Sequence, residues 1–143
     1  MELKSYSFKV VTQKEKNLLL FDEVNGLLQI QENGCVDLNT ARALRTSAIS
    51  LIEDYKVNKL LLNRKWLHEY TKEARKWIIN DHYIRNKSLL NEHLELIATV
   101  KPVDSMGCIY AHLLSSNIKI FLKKTSLADF DQEADAMGWL LDI

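Results

Sequence analysis

The chain has 143 residues, 19 lysines and arginines against 19 aspartates and glutamates, and a single proline. That length suits one domain spanning residues 1–143, large enough to bury about 68% of its unfolded surface, and a composition 47% hydrophobic and 27% charged excludes a disordered or collagen-like chain. A formal charge of zero excludes a field that would gather nucleic acid or anionic lipid over the whole surface.

In chain order, Tyr6, Phe8 and Val10 alternate with Ser7 and Lys9, a period of two that predicts an extra edge strand within residues 1–15. An unpaired edge there could pair with a second copy, so a homodimer is one expected outcome. The apolar runs Leu18–Val24 and Leu27–Gln31 flank Asn25-Gly26, the strongest short hairpin signal, and predict an antiparallel pair joined by a type I′ turn. From Asp37 the period changes. Leu38, Ala41, Leu44, Ala48, Leu51, Ile52 and Tyr55 recur every three or four residues and mark the apolar stripe of a helix, with Asp37 or Asn39 as its N-cap.

Lys59–Leu62 reads as a buried strand. A helix from about Thr71 carries Tyr70, Ala74, Trp77, Ile78 and Asp81 on one face, and Leu94–Val100 is a strand stopped by Lys101-Pro102. Ser105 is expected to cap a helix with Ile109, Leu113 and Leu114 inward, and Ile118–Leu122 reads as a strand. Asp129–Leu141 reads as a last helix with Phe130, Ala134, Met137 and Leu141 on one side, and Asp129 and Gln132 have capping-box spacing. Strands alternating with helices predict an α/β domain: a mixed, mostly parallel sheet with an N-terminal antiparallel hairpin and about four helices.

Catalytic signals are missing from the pattern. His68, His82, His93 and His112 share no helical ligand spacing, and no nucleophile elbow occurs. Four glycines, at 26, 34, 107 and 138, cannot compose a phosphate loop. The expectation is therefore no enzyme, no catalytic residue, no metal and no cofactor. Cys35 and Cys108 match no zinc or redox spacing and are expected to be buried thiols in a reducing compartment. With no signal-peptide pattern and no apolar run near the ~20 residues of a membrane span, the expected location is cytoplasmic.

One place stands out. Asn63-Arg64-Lys65-Trp66 and His68 follow the strand at 59–62, and ligands of open parallel sheets use the crevice beyond the strands' carboxyl ends. Arginine can grip a carboxylate or phosphate in bidentate fashion, and tryptophan offers a flat anchor. Lys123-Lys124-Thr125 is expected at the same end, while Asp129, Asp131, Glu133 and Asp135 gather at the start of the last helix. Two short clusters without interleaved aromatics do not make a nucleic-acid stripe. Trp77 and Trp139 lie in helix stripes and read as core.

The ordered elements resemble the SpoIIAA-like branch of the STAS superfamily over roughly residues 16–143. The resemblance rests on the Asn25-Gly26 hairpin leading into the Asp37–Tyr55 helix, on the strand Lys59–Asn63 followed by a helix with Ala74 and Trp77, and on the C-terminal Phe130-Asp131, Ala134 and Trp139-Leu140. It implies a four- or five-stranded mixed sheet with helices largely on one side, in proteins that regulate by binding and do not catalyse. In anti-sigma-factor antagonists of this kind a serine in an Asp-Ser-Ser-Gly setting is phosphorylated. Here the corresponding stretch is Glu69-Tyr70-Thr71-Lys72, whose Thr71 also fits a helix N-cap, and Asn63 stands where a strand-terminal aspartate is common. The expected function is a regulatory module that binds a protein partner through Asn63, Arg64, Lys65, Trp66, His68 and Thr71. The alternative is a carrier or sensor of a small lipid-like or anionic ligand, and the third reading is an enzyme of unknown type.

Overall fold

Chain reversals at polar loops and long apolar stripes set the architecture of the computed structural model, which describes residues 7–142. Strands β1 (Lys9–Lys14), β2 (Asn17–Asp22) and β3 (Leu27–Gln31) form an antiparallel meander. A short strand β4 (Gly34–Val36) leads into helix α1 (Leu38–Tyr55). Then come β5 (Lys59–Asn63), β6 (Leu67–Tyr70), α2 (Lys72–Trp77), a π-helix (Ile78–Ile84) and α3 (Lys87–His93). β7 (Leu96–Val100), α4 (Ser105–Phe121), β8 (Ser126–Phe130) and α5 (Glu133–Leu141) complete the order.

The main sheet has six strands in the order β1-β2-β3-β5-β7-β8, parallel from β3 onward, and β4 and β6 make a separate parallel pair. This is the expected mixed sheet with an N-terminal antiparallel pair. The strand at the N-terminal edge covers residues 9–14; Tyr6 lies outside the described residues.

Side-chain alternation along the strands divides the core. Leu28, Ile30, Leu60, Leu62 and Ile97 point into one layer, where Ala41, Leu44, Ala48 and Ile52 of α1 and Leu114 and Ile118 of α4 meet them. Leu27, Leu61, Ala98 and Val100 point the other way, onto Ala136, Met137, Leu140 and Leu141 of α5. Each fully buried leucine or isoleucine contributes about 1.5–3 kcal/mol by leaving water, so both layers are strongly driven.

The β2–β3 loop departs from the expected turn. It runs over four residues, 23–26, and only Gly26 has a positive φ, +60°. Asp22 holds it by accepting the Asn25 backbone N–H (3.2 Å) and side-chain amide (2.7 Å), an alternative to the type I′ geometry. At α1 the cap is Asp37, whose carboxylate accepts the Thr40 N–H at 2.8 Å and is held below the usual carboxylate range by that bond.

The C-terminal third differs most from expectation. Residues 118–121, expected as a strand, are the last turn of α4, because Ala111, Leu114, Ile118 and Leu122 continue one buried helical stripe. A five-residue apolar run fits either period, and the preceding helix decides it. The last parallel strand is β8 instead, so Asp129 and Phe130 lie in the sheet and α5 starts at Glu133, with Gln132 as an N-cap that makes no side-chain bond. Ala134 is exposed. Asp104, one residue before the expected Ser105, caps α4 through the Gly107 N–H (3.1 Å). Ile109 and Leu113 are 55% and 50% exposed and face outward, leaving Leu114 in the core. With five α-helices and a π-helix among the described residues, the helix count exceeds the expected four.

Gly107 fixes α4 in place: a Cβ there would lie 2.0 Å from the Leu67 carbonyl oxygen. Only glycine lets the first turn of α4 press against the backbone of β6. Among the described residues, no helix is long and apolar enough to cross a membrane.

Candidate functional site at the carboxyl ends of the parallel strands

The structure distributes the six expected site residues over three places. Asn63, Lys65 and Trp66 share an open groove of about 610 Å3 on the α5 side of the sheet, with Gln31, Asn33 and Glu133 among its other walls. Asn63 donates from its amide to Gln29 Oε1 (3.1 Å), the oxygen that also takes the Gln31 side-chain amide (2.9 Å). Trp66 is 61% exposed, and the Lys65 ammonium sits 5.5 Å from its ring centroid. This cation–π pair presents a flat, positively flanked surface.

Arg64 goes the other way. Strand alternation carries Leu60, Leu62 and then Arg64 into the helix layer, while Leu61 and Asn63 face α5. The expected surface arginine is buried. Its Nη1 donates to Ser115 Oγ on α4 at 3.0 Å, and its Nε and Nη2 have no partner. It lines a cavity of about 100 Å3 under α4, together with Thr99, Lys101, His112, Ser115 and Asp129. The Thr99 hydroxyl donates to Asp129 Oδ1 at 2.5 Å across the last two parallel strands.

His68 and Thr71 occupy the two ends of β6. His68 is exposed and its Nδ1 lies 2.7 Å from Asp104 Oδ2, tying β6 to the cap of α4. The Gly107 N–H and then His68 hold the Asp104 carboxyl below its ordinary value. Thr71, at the far end, is the N-cap of α2 and accepts the Ala74 N–H through its hydroxyl at 3.2 Å.

Two further expectations change. Lys123 and Lys124 precede β8 and so sit at the amino end of the parallel strands, opposite Arg64 and Lys65. Cys35 and Cys108 are free and exposed. Cys108 reaches the solvent at the rim of the Arg64 cavity, its thiol donating to the Pro102 carbonyl at 3.1 Å.

Sequence reasoning missed a buried polar cluster. Arg45 on α1 is fully buried, its Nη2 bonded to Glu32 Oε1 (2.9 Å) and its Nη1 to the Tyr83 hydroxyl (3.0 Å). Tyr70 donates to the same Glu32 oxygen at 2.5 Å. Burial alone would lower Arg45's pKa, but Glu32, Tyr83 and Tyr70 together outweigh it and raise the value, while burial pushes the Tyr70 phenol upward. His82, buried between the Trp77 and Tyr83 rings, is driven well below its usual pKa by burial and by Arg45. The available signal was Arg45's place among Ala41, Leu44 and Ala48, on a stripe that admits no solvent. Among the described residues no group of three or more His, Cys, Asp or Glu is gathered to hold a metal ion.

The topology gives the chain a SpoIIAA-like α/β fold. Among solved structures it is similar to the anti-sigma factor antagonist SpoIIAA in its unphosphorylated form, with 14% identity and a TM-score of 0.55, covering 97% of this chain and 100% of that one. It is also similar to an uncharacterized protein of the DUF3478 family with a SpoIIAA-like fold from Shewanella loihica PV-4, at 10% identity and a TM-score of 0.53, covering 98% of each chain. SiaC of Pseudomonas aeruginosa gives 12% identity and a TM-score of 0.48 over 88% of this chain and 98% of that one. No protein-family model matches the sequence, and no curated protein matches it. The likeness is one of fold.

Proposed function

We propose that the protein is a non-enzymatic regulatory module that binds a protein partner through the loop after β5 and the adjoining face of α4. The observation that carries this is a set of exposed apolar side chains on two segments joined through the backbone. Trp66 follows Lys65, whose carbonyl accepts the Val103 N–H at 3.0 Å; Val103 is exposed, and the exposed Met106, Ile109 and Leu113 follow along α4 at helical spacing. Single exposed apolar residues are ordinary, but a tryptophan and four more on two joined segments are the kind of residues that mark an interface. Lys65 over the Trp66 ring suits a partner that sets a carboxylate beside an apolar anchor. The SpoIIAA likeness adds that this fold serves an antagonist of an anti-sigma factor, a protein that works by association.

The test is affinity capture from the source organism with wild-type protein, the Trp66→Ala/Ile109→Ser double variant, and Val24→Ser in the exposed β2–β3 loop as control. At least one protein should be captured by wild type and control, bind directly when purified, and lose affinity at least about tenfold toward the double variant. Equal capture by all three would overturn the assignment of this face.

A further inference from the structure

Arg64 is 1% exposed, carries a charge it cannot give up, and makes one side-chain hydrogen bond, to Ser115. Its Nε and Nη2 are unpartnered, and no carboxylate lies within ion-pair distance of it among the described residues. A buried cation without an anion is costly, and Arg45 shows how this fold answers one, with Glu32. Arg64 instead lines the roughly 100 Å3 cavity beyond the carboxyl ends of β5, β7 and β8, the place where open parallel sheets hold ligands. That space holds about three waters or one tetrahedral oxyanion.

We propose that the cavity binds inorganic phosphate. The free Nε–H and Nη2–H groups of Arg64 form the fork that matches two oxygens of an oxyanion. The Ser115 hydroxyl, whose oxygen accepts from Arg64, keeps its own proton for a third oxygen; at the mouth stand His112 and Lys101, whose ammonium is paired with Asp131 at 3.2 Å. Asp129 sets the selectivity. Its Oδ1 takes the Thr99 hydroxyl, and the carboxylate can accept the remaining O–H of a hydrogen phosphate while it repels sulfate, which has no proton at neutral pH. The site is separate from the apolar face of α4 and does not depend on a protein partner.

The experiment uses the full chain exchanged into phosphate-free buffer. Melting temperature is followed against phosphate, sulfate and sodium chloride, and alkylation of the two cysteines by iodoacetamide is followed by mass spectrometry. Wild type should show a saturable rise with phosphate, at least about tenfold weaker with sulfate, and none with chloride. Phosphate should slow modification of Cys108, at the cavity rim, and leave Cys35 unchanged. Arg64→Met and Arg64→Lys should each weaken phosphate at least about tenfold, the lysine because it lacks the fork. No saturable rise, equal response to sulfate, an undiminished response in the arginine variants, or an unprotected Cys108 would each overturn the proposal. If Arg64→Met does not fold, Arg64→Lys and the protection of Cys108 in wild type decide it.

Discussion

Among the described residues two arginines are buried, and they are answered in opposite ways. Arg45 on α1 is enclosed by Glu32, Tyr83 and, through Glu32, Tyr70, so its charge is paired inside the core. Arg64, one residue beyond β5, has a serine hydroxyl as its one side-chain hydrogen-bond partner, lies near Tyr70 and lines a cavity. Equal burial therefore does not mean equal role. A charge that is paired in place holds secondary structure together: here Glu32 after β3, α1, β6 and the π-helix. A charge left unpaired beside a cavity is poised for something that comes from outside.

The largest test of this contrast is Arg45→Met. It strands Glu32 and the Tyr83 hydroxyl in the interior and should cost about 3–5 kcal/mol in urea unfolding, as breaking a buried pair from one side does. A loss below about 1 kcal/mol would show that water or rearrangement satisfies Glu32 and that the cluster is not a clamp. Tyr70→Phe comes next. Removing a hydroxyl bonded to a charged group should cost about 1.5–3 kcal/mol. Because both changes act on the same Glu32 oxygen, the double variant should be less destabilised than the sum of the two; strict additivity would place the residues in separate networks.

Much of this frame was legible in the residues, and the gaps have physical causes. β3, β5 and β7 announce themselves because strands buried on both faces are nearly continuous apolar runs. β8 does not: Ser126–Phe130 is an edge strand with little buried surface, and the apolar run just before it belongs to the helical stripe of α4. Gly34–Val36 and Leu67–Tyr70 are too short to show a period and exist only as each other's partner. At the site, the sequence singled out Lys65 and Trp66 as candidates, and strand alternation could have sent Arg64 into the helix layer. Its lack of a charged partner could not be read, since that depends on where α4 lands, which the close contact of Gly107 with β6 decides.

The third prediction concerns pH. His82 is packed against Trp77 and Tyr83, near the Arg45 charge, in a groove that also holds Arg42, Asp81 and Arg85. Its native pKa lies well below the ordinary value, so below about 6.5 the unfolded chain takes up a proton that the native protein refuses. Stability from this group is complete above that pH and declines as pH falls, by about 1.4 kcal/mol per unit, until native His82 itself protonates. Unfolding of wild type and His82→Gln between about pH 7.5 and 5.5 checks the sign: the variant should lack this component of the slope. Parallel profiles would mean that native His82 takes up its proton as readily as the unfolded chain does, so that its site is more open than its burial indicates.

The smallest expected change closes the comparison. Arg64→Met removes an unpaired charge and one bond to Ser115 while keeping most of the side-chain volume, so relief of desolvation offsets the lost bond. In phosphate-free buffer its stability should stay within about 1 kcal/mol of wild type, against the several lost by Arg45→Met. With phosphate added, the gap should widen because only wild type gains the binding energy. A loss as large as that of Arg45→Met without phosphate would make Arg64 a second internal clamp. An unchanged gap with phosphate would remove the reason for leaving its guanidinium unpaired at a cavity.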